Sequence, residues 1–126
     1  MIIGIGTDLV LVARIEAVVA RQGERFARRI LTPAEFQRYA THHQPLRFLA
    51  KRFAAKEAIL KALGTGLAKG MSWQHIQIDS DANGAPLVVL SGTALARLQQ
   101  GGGGRMLLSL SDEREQALAF ALWSAG

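Results

Sequence analysis

Between positions 47 and 66, RFLAKRFAAKEAILKALGTG, apolar residues recur with the period of one long helix. Almost all of these residues are strong helix formers, and proline is absent. The helix should end at Gly64, whose missing Cβ lets the backbone turn left-handed after Leu63. On a wheel at about 100° per residue, with Leu46 at the origin, Leu49, Ala50, Phe53 and Leu60 fall within roughly 60° of it. Glu57 lands at about 20°, in the middle of this buried stripe. Lys61 follows one turn on, and Arg52 and Lys56 lie on the other flank. A carboxylate on an apolar helix face needs compensation. Two sources are open: an ion pair with Lys61 or a more distant cation, or a divalent metal, with the flanking cations receiving an anionic substrate.

Elsewhere the period changes. Residues 1–12, MIIGIGTDLVLV, read as a strand in which Ile3 and Ile5 alternate with Gly4 and Gly6. Glycines within a strand mark a bulge or the close approach of another backbone. Asp8 interrupts this apolar segment. It reads either as a turn or bulge residue or as a metal-ligating carboxylate at a strand end. Residues 13–30 form one or two helical pieces broken near Gly23, apolar at Ile15, Val18, Val19, Phe26 and Ile30. Thr32, Pro33 and Glu35 carry a capping box with proline at the first helical position, a structural signal for a helix over 32–39. His42 and His43 lie in a loop and, as neighbours, face different ways, so no histidine metal site is expected. A glycine-rich loop follows Gly64. Residues 73–90 read as a hairpin turning at Asn83-Gly84, with Trp73, Ile76 and Ile78 as its first apolar members. A short amphipathic helix (91–100), a four-glycine connection and two last strands complete the chain, the strands joined by a turn at Asp112-Glu113-Arg114. Strands joined by short turns pair antiparallel. The expected fold class is therefore α+β, a small antiparallel sheet packed against the long central helix, in a single domain over residues 1–126.

Composition and charge narrow the functional classes. The chain is 49% apolar and 20% charged, ordinary for a globular protein. No apolar run is long enough to span a bilayer, and the N-terminus shows no signal-like core, so a cytoplasmic location away from membranes is expected. The lack of cysteine excludes disulfides and thiolate metal sites. A net charge of +5 points to an acidic partner: nucleic acid, a phosphorylated ligand or an acidic protein. Arg14, Arg21, Arg25 and Arg28 fall within about 40° of each other if the helix runs on through Gly23. Glu16 and Glu24 offer this row little neutralisation, so it should meet an acidic surface with guanidinium forks suited to carboxylates and phosphates. The alternative to an enzyme is a basic nucleic-acid-binding module. Aromatics make up only 6% of the chain and do not interleave with the basic residues as a stacking platform requires.

Three segments together, GIGTD (4–8), LT-x-x-E (31–35) and RFAAKEAILKALGTG (52–66), resemble the holo-[acyl-carrier-protein] synthases, the small-type 4′-phosphopantetheinyl transferases. The resemblance implies transfer of the phosphopantetheine arm of coenzyme A to a serine of acyl carrier protein in fatty acid biosynthesis. It implies Mg²⁺ between Asp8 and Glu57, and a homotrimer with active sites between subunits, the two carboxylates of one site coming from different chains. Catalysis would fall to Glu57, Lys61 and Asp8. Arg52, Lys56 and Lys61 would offset the pyrophosphate, with Gly64, Thr65 and Gly66 close to the nucleotide. The base would be Glu57 or a metal-bound water held by Asp8. The arginine row Arg14, Arg21, Arg25 and Arg28 would dock the acidic carrier. Many family members carry Ser-His near the last hairpin. Ser111-Asp112-Glu113-Arg114 stands there in this chain, and an aspartate cannot donate to a phosphate, so that contact is either absent or replaced by Arg114.

Overall fold

A computed structural model describes residues 1–126. The chain runs β1 (Ile2–Leu11), α1 (Val12–Gln22), α2 (Glu24–Ile30), α3 (Pro33–Thr41) and α4 (Pro45–Leu63), then a 3₁₀ turn (Trp73–His75). It continues through β2 (Ile76–Ser80), β3 (Pro86–Leu90), α5 (Gly92–Gln100), β4 (Arg105–Asp112) and β5 (Gln116–Ser124). The expected α+β class holds, with one refinement. There are two antiparallel sheets rather than one: a three-stranded sheet in the order β1-β5-β4 and a separate β2-β3 hairpin. No helix is long and apolar enough to cross a membrane.

The reason for Gly-x-Gly-x-Asp lies in the strand period. Side chains alternate across a sheet, so Gly4, Gly6 and Asp8 share one face of β1. That face carries α4. A Cβ built on Gly4 would sit 2.1 Å from the Ala62 carbonyl oxygen, and one on Gly6 would sit 2.1 Å from that of Ala58. The central strand β5 presents Ala117, Ala119 and Ala121 to the same side, all buried. Small residues on both partners let helix and sheet approach closely. Asp8, paired in register with Ala119, is the next residue on this face beyond the two glycines.

The long helix starts at Pro45, two residues before its expected start, and ends as expected at Gly64, which is left-handed at φ 79°. Its burial differs from the one-sided stripe of the wheel. Leu49, Ala50, Ala54, Ala55, Ala58, Ile59, Leu60, Ala62 and Leu63 are all buried, and these positions run round the helix. The sheet covers one side, while α1, α3 and β2 pack against others. Phe53 and Glu57, placed by the wheel inside the stripe, lie instead at the edge of the core and are only partly buried. Lys56 and Arg52, placed on its flank, are the buried ones.

Gly23 (φ 63°) breaks the second helical segment, so α1 and α2 are distinct and the arginine row does not run along one continuous helix. The capping box forms as expected: Glu35 N donates to Thr32 Oγ1, and Thr32 N donates to Glu35 Oε1. Residues 73–75 wind into a 3₁₀ turn instead of extending the hairpin, with Gln74 N donating to the Ser72 side chain.

Candidate active site

The candidate site forms where β1, α1 and α4 meet. A cavity of about 260 Å³ is lined by Asp8 and Glu57, with Arg14 also in its lining and Val10, Ile15, Val18, Phe26 and Phe53 as apolar walls. Both carboxylates therefore belong to one pocket of one chain. This corrects the expectation that they would come from different subunits. The short helix-to-strand distance brings them together: Asp8 follows the glycines that admit α4, and Glu57 sits on the α4 turn that reaches that level.

Glu57 is not paired in the way a structural salt bridge would need, whereas Asp8 lies 3.2 Å from the half-exposed Lys61 ammonium. Glu57 has no cationic partner. Instead Trp73 Nε1 donates to Glu57 Oε1 at 2.9 Å. Lys61, the nearby ammonium, turns to β1, donating to the Thr7 carbonyl at 2.8 Å and to Asp8 Oδ1 at 3.2 Å. Each carboxylate thus has one oxygen engaged and one, Oε2 of Glu57 and Oδ2 of Asp8, without a bond inside the chain. Two hard oxygen donors, both half-buried and neither neutralised outright, fit Mg²⁺, which takes few protein oxygens and keeps its remaining positions for water and phosphate. The chain holds no cluster of three or more acidic or histidine ligands that would form an all-protein cage.

The motif Arg52-x-x-x-Lys56-Glu57-x-x-x-Lys61 splits into two rows because i and i+4 share a helix face. Glu57 and Lys61 face the cavity and β1. Arg52 and Lys56 face α3 and β2. Lys56 Nζ is fully buried and donates to Glu35 Oε1 at 2.6 Å, to the Ile30 carbonyl at 2.6 Å and to the Trp73 carbonyl at 3.2 Å. Its three donors are used, so it cannot reach a bound phosphate in this arrangement, contrary to expectation. Burial pulls the pKa of this ammonium below its ordinary value, and Glu35 partly restores it. Arg52 is also held low by burial and partly restored by Glu35, whose Oε2 lies 3.7 Å from Arg52 Nε. It lines a second, larger and basic pocket of about 870 Å³ together with Arg38, His42, Lys51 and Asp79. Glu35 was legible as a cap; its second role as the buried counter-ion of α4 was not.

The remaining expected residues are spread out. Gly64 N, Thr65 N and Gly66 N all donate to the Leu60 carbonyl, so the loop spends these donors on ending the helix. Arg14 reaches the cavity. Arg21 and Arg25 are exposed. Arg28 is neutralised by Glu24 at 3.3 Å, against expectation, and stacks over Phe36. Asp112 accepts from Arg47 at 2.6 Å and lies 3.4 Å from Lys51. Burial pushes its carboxyl up, but these cations outweigh that and leave it below its ordinary range. Arg114 is exposed at the hairpin tip. Sequence reasoning missed Trp73 as a site residue, since nothing local links it to a carboxylate 16 positions earlier.

Residues 4–121 match the 4′-phosphopantetheinyl transferase superfamily. The chain is 56% identical over 118 residues to the holo-[acyl-carrier-protein] synthase of Shewanella frigidimarina, covering 94% of each. Its fold superposes on the crystal structure of the Neisseria meningitidis synthase with a TM-score of 0.91 and 45% identity, covering 98% of this chain and 99% of that one. The Helicobacter pylori synthase in complex with coenzyme A gives 0.82 and 32%, covering 95% and 99%. With the Gly-x-Gly-x-Asp strand, the Lys-Glu-Ala helix and this full-length likeness in hand, the chain belongs to the holo-[acyl-carrier-protein] synthase family of 4′-phosphopantetheinyl transferases, and it is an enzyme.

Proposed function

We propose that residues 1–126 act as one cytoplasmic, Mg²⁺-dependent transferase unit of fatty acid biosynthesis, moving the 4′-phosphopantetheine arm of coenzyme A onto a serine of apo acyl carrier protein. The observation that carries this reading is the pairing of Asp8 and Glu57 in one apolar-walled cavity, each with an oxygen free. The serine oxygen, its proton passing to Glu57 or to a water held by Asp8, attacks the pyrophosphate phosphorus next to the pantetheine. The bond from that phosphorus to the bridging oxygen breaks, and adenosine 3′,5′-bisphosphate leaves with the electron pair. Asp8 and Glu57 would hold Mg²⁺, which when bound supplies charge neutralisation for the pyrophosphate and stabilises charge on the phosphoryl oxygens. Lys61, on the edge of the same site and half-exposed, adds a mobile positive charge. The apolar walls Val10, Ile15, Val18, Phe26 and Phe53 restrict water, which would otherwise compete with the serine. Arg14 in the cavity lining suits an acidic carrier approaching over α1; Arg21 on α1 and Arg25 on α2 are exposed as well, and Arg28 on α2 is exposed beside Glu24.

A homotrimer with sites between subunits accounts for Arg52. One chain keeps it apart from Glu57, in the basic pocket with Arg38 and Lys51, where it suits a phosphate of coenzyme A bound mainly by a neighbouring subunit. The exposed apolar face of the three-stranded sheet supports such an assembly.

The test is incubation with apo acyl carrier protein, coenzyme A and Mg²⁺, followed by mass spectrometry of the carrier. The carrier should gain the arm, and chelation should stop the gain until Mg²⁺ is restored. Asp8→Asn and Glu57→Gln should each lower turnover by about a hundredfold or more, the scale of losing one charge-stabilising group, with thermal unfolding unchanged. Near-normal turnover in either variant would contradict the metal assignment. A carrier that gains no mass would instead favour the binding-module reading.

A further inference from the structure

A carboxylate that is to hold a metal needs a partner that fixes its orientation. Glu57 is the only one of the two site carboxylates without an ammonium beside it. Its sole hydrogen-bond partner in the chain is the indole N–H of Trp73, at 2.9 Å. Trp73 is itself held. Its carbonyl accepts from the buried Lys56 at 3.2 Å, its ring packs against Phe53 with centroids 6.2 Å apart, and Arg29 lies over its face at 5.7 Å. Phe53 in turn is a wall of the Asp8–Glu57 cavity. The Lys56 ammonium is anchored from the other side by Glu35 and the Ile30 carbonyl. Adjacent residues of α4 therefore grip the same tryptophan from two directions: Lys56 by its backbone, Glu57 by its side chain.

We propose that Trp73 is a positioning residue for Glu57: its indole N–H holds Oε1 and leaves Oε2 as the oxygen offered to the metal beside Asp8. This rests on the metal assignment of the preceding subsection. A neutral donor suits the task. An indole N–H fixes the carboxylate without adding a second positive charge to the one Lys61 already brings beside Asp8. Partners of this kind, one bond removed from the ion, orient a ligand and tune its affinity, and their removal costs about ten- to a hundredfold in metal binding or activity. Trp73 opens the 3₁₀ turn over 73–75, and from there it meets both Lys56 and Glu57 of α4.

The experiment compares Trp73→Phe and Trp73→Leu with the wild type. Both lose the donor, but only the first keeps an aromatic ring against Phe53 and Arg29. Mn²⁺ binding in the presence of coenzyme A is read by electron paramagnetic resonance, alongside kcat and the KM for acyl carrier protein. Both variants should bind Mn²⁺ about tenfold or more weakly and lose kcat to a similar degree, with the carrier KM unmoved. If Trp73→Phe behaves as wild type and only Trp73→Leu is impaired, the ring matters for packing alone and the proposal is overturned. It is equally overturned if both variants bind Mn²⁺ normally. A wild type that transfers no arm contradicts the proposed function instead, and the Mn²⁺ titration still decides the role of Trp73.

Discussion

Lys56 and Glu57 are neighbours in sequence and opposites in environment. The ammonium lies wholly inside the protein and the carboxylate lies at a cavity wall. Breaking a buried pair by removing one partner leaves the other uncompensated, at a cost of about 3–5 kcal/mol. Lys56→Met should therefore destabilise by about that amount in urea denaturation. It strands the fully buried Glu35, which would keep only the Thr32 and Ile78 amides and the more distant Arg52 guanidinium. Adding Glu35→Gln should restore part of the loss, because the second charge goes with the first. A Lys56→Met protein as stable as wild type would show that the pair contributes nothing. Glu57 was legible in the sequence as a carboxylate misplaced on an apolar helix, though the wheel set it too deep. Lys56 was not, because a cation beside it reads the same whether it faces solvent or a counter-ion on another element. Only the approach of α3 to α4 settles that, and local periodicity does not encode it.

At the scale of elements, the site depends on how closely β1 approaches α4. A methyl group at position 6 would meet the Ala58 carbonyl oxygen at 2.1 Å and the Ala62 nitrogen at 2.8 Å, both backbone atoms that cannot rotate away. Overpacking a tight interface costs about 1–3 kcal/mol and moves the backbone. Gly6→Ala should cost at least the upper end of that range in urea denaturation. It should also lower kcat beyond any loss of folded protein, because a shift of β1 carries Asp8 away from Glu57. Full kcat in the folded fraction would mean that the strand-to-helix distance does not set the site. A glycine pair in a strand marks a bulge or a close backbone approach; Gly4 and Gly6 admit α4, and the register also shifts between Ile2 and Gly4. The 3₁₀ turn at 73–75 departs from the expected strand; its one local sign is that Trp73 and Ile76 are three apart and break the period of two that a strand would keep. The division into two sheets was equally hidden, since hairpin signals show which strands pair locally and not which hairpins join.

At the scale of the whole molecule, the unpartnered face is the outer side of the β1-β5-β4 sheet. Register sets Leu9 against Leu118, Phe120 between Thr7 and Ser109, and Leu122 between Ile5 and Leu107. Ile5 and Leu9 are 60% and 56% exposed, and Leu107, Leu118 and Phe120 each exceed 40%. A contiguous apolar face of this kind on a chain that is otherwise well packed marks a surface meant to be covered. Three copies closing on such a face form a symmetric assembly with no edge left over. The proposed homotrimer should sediment at three times 13.6 kDa at micromolar concentration. Phe120→Glu combined with Leu118→Glu should yield a monomer, because the proposed interface would hold both charges of every copy away from water. Because the proposed site draws Arg52 from a neighbouring subunit, the same variant should lose transferase activity while its circular dichroism spectrum stays that of a folded chain. A monomeric variant that retains full turnover would leave the trimer standing and remove the shared site. A monomeric wild type would remove both, and would require Arg52 to serve some other ligand in its own pocket.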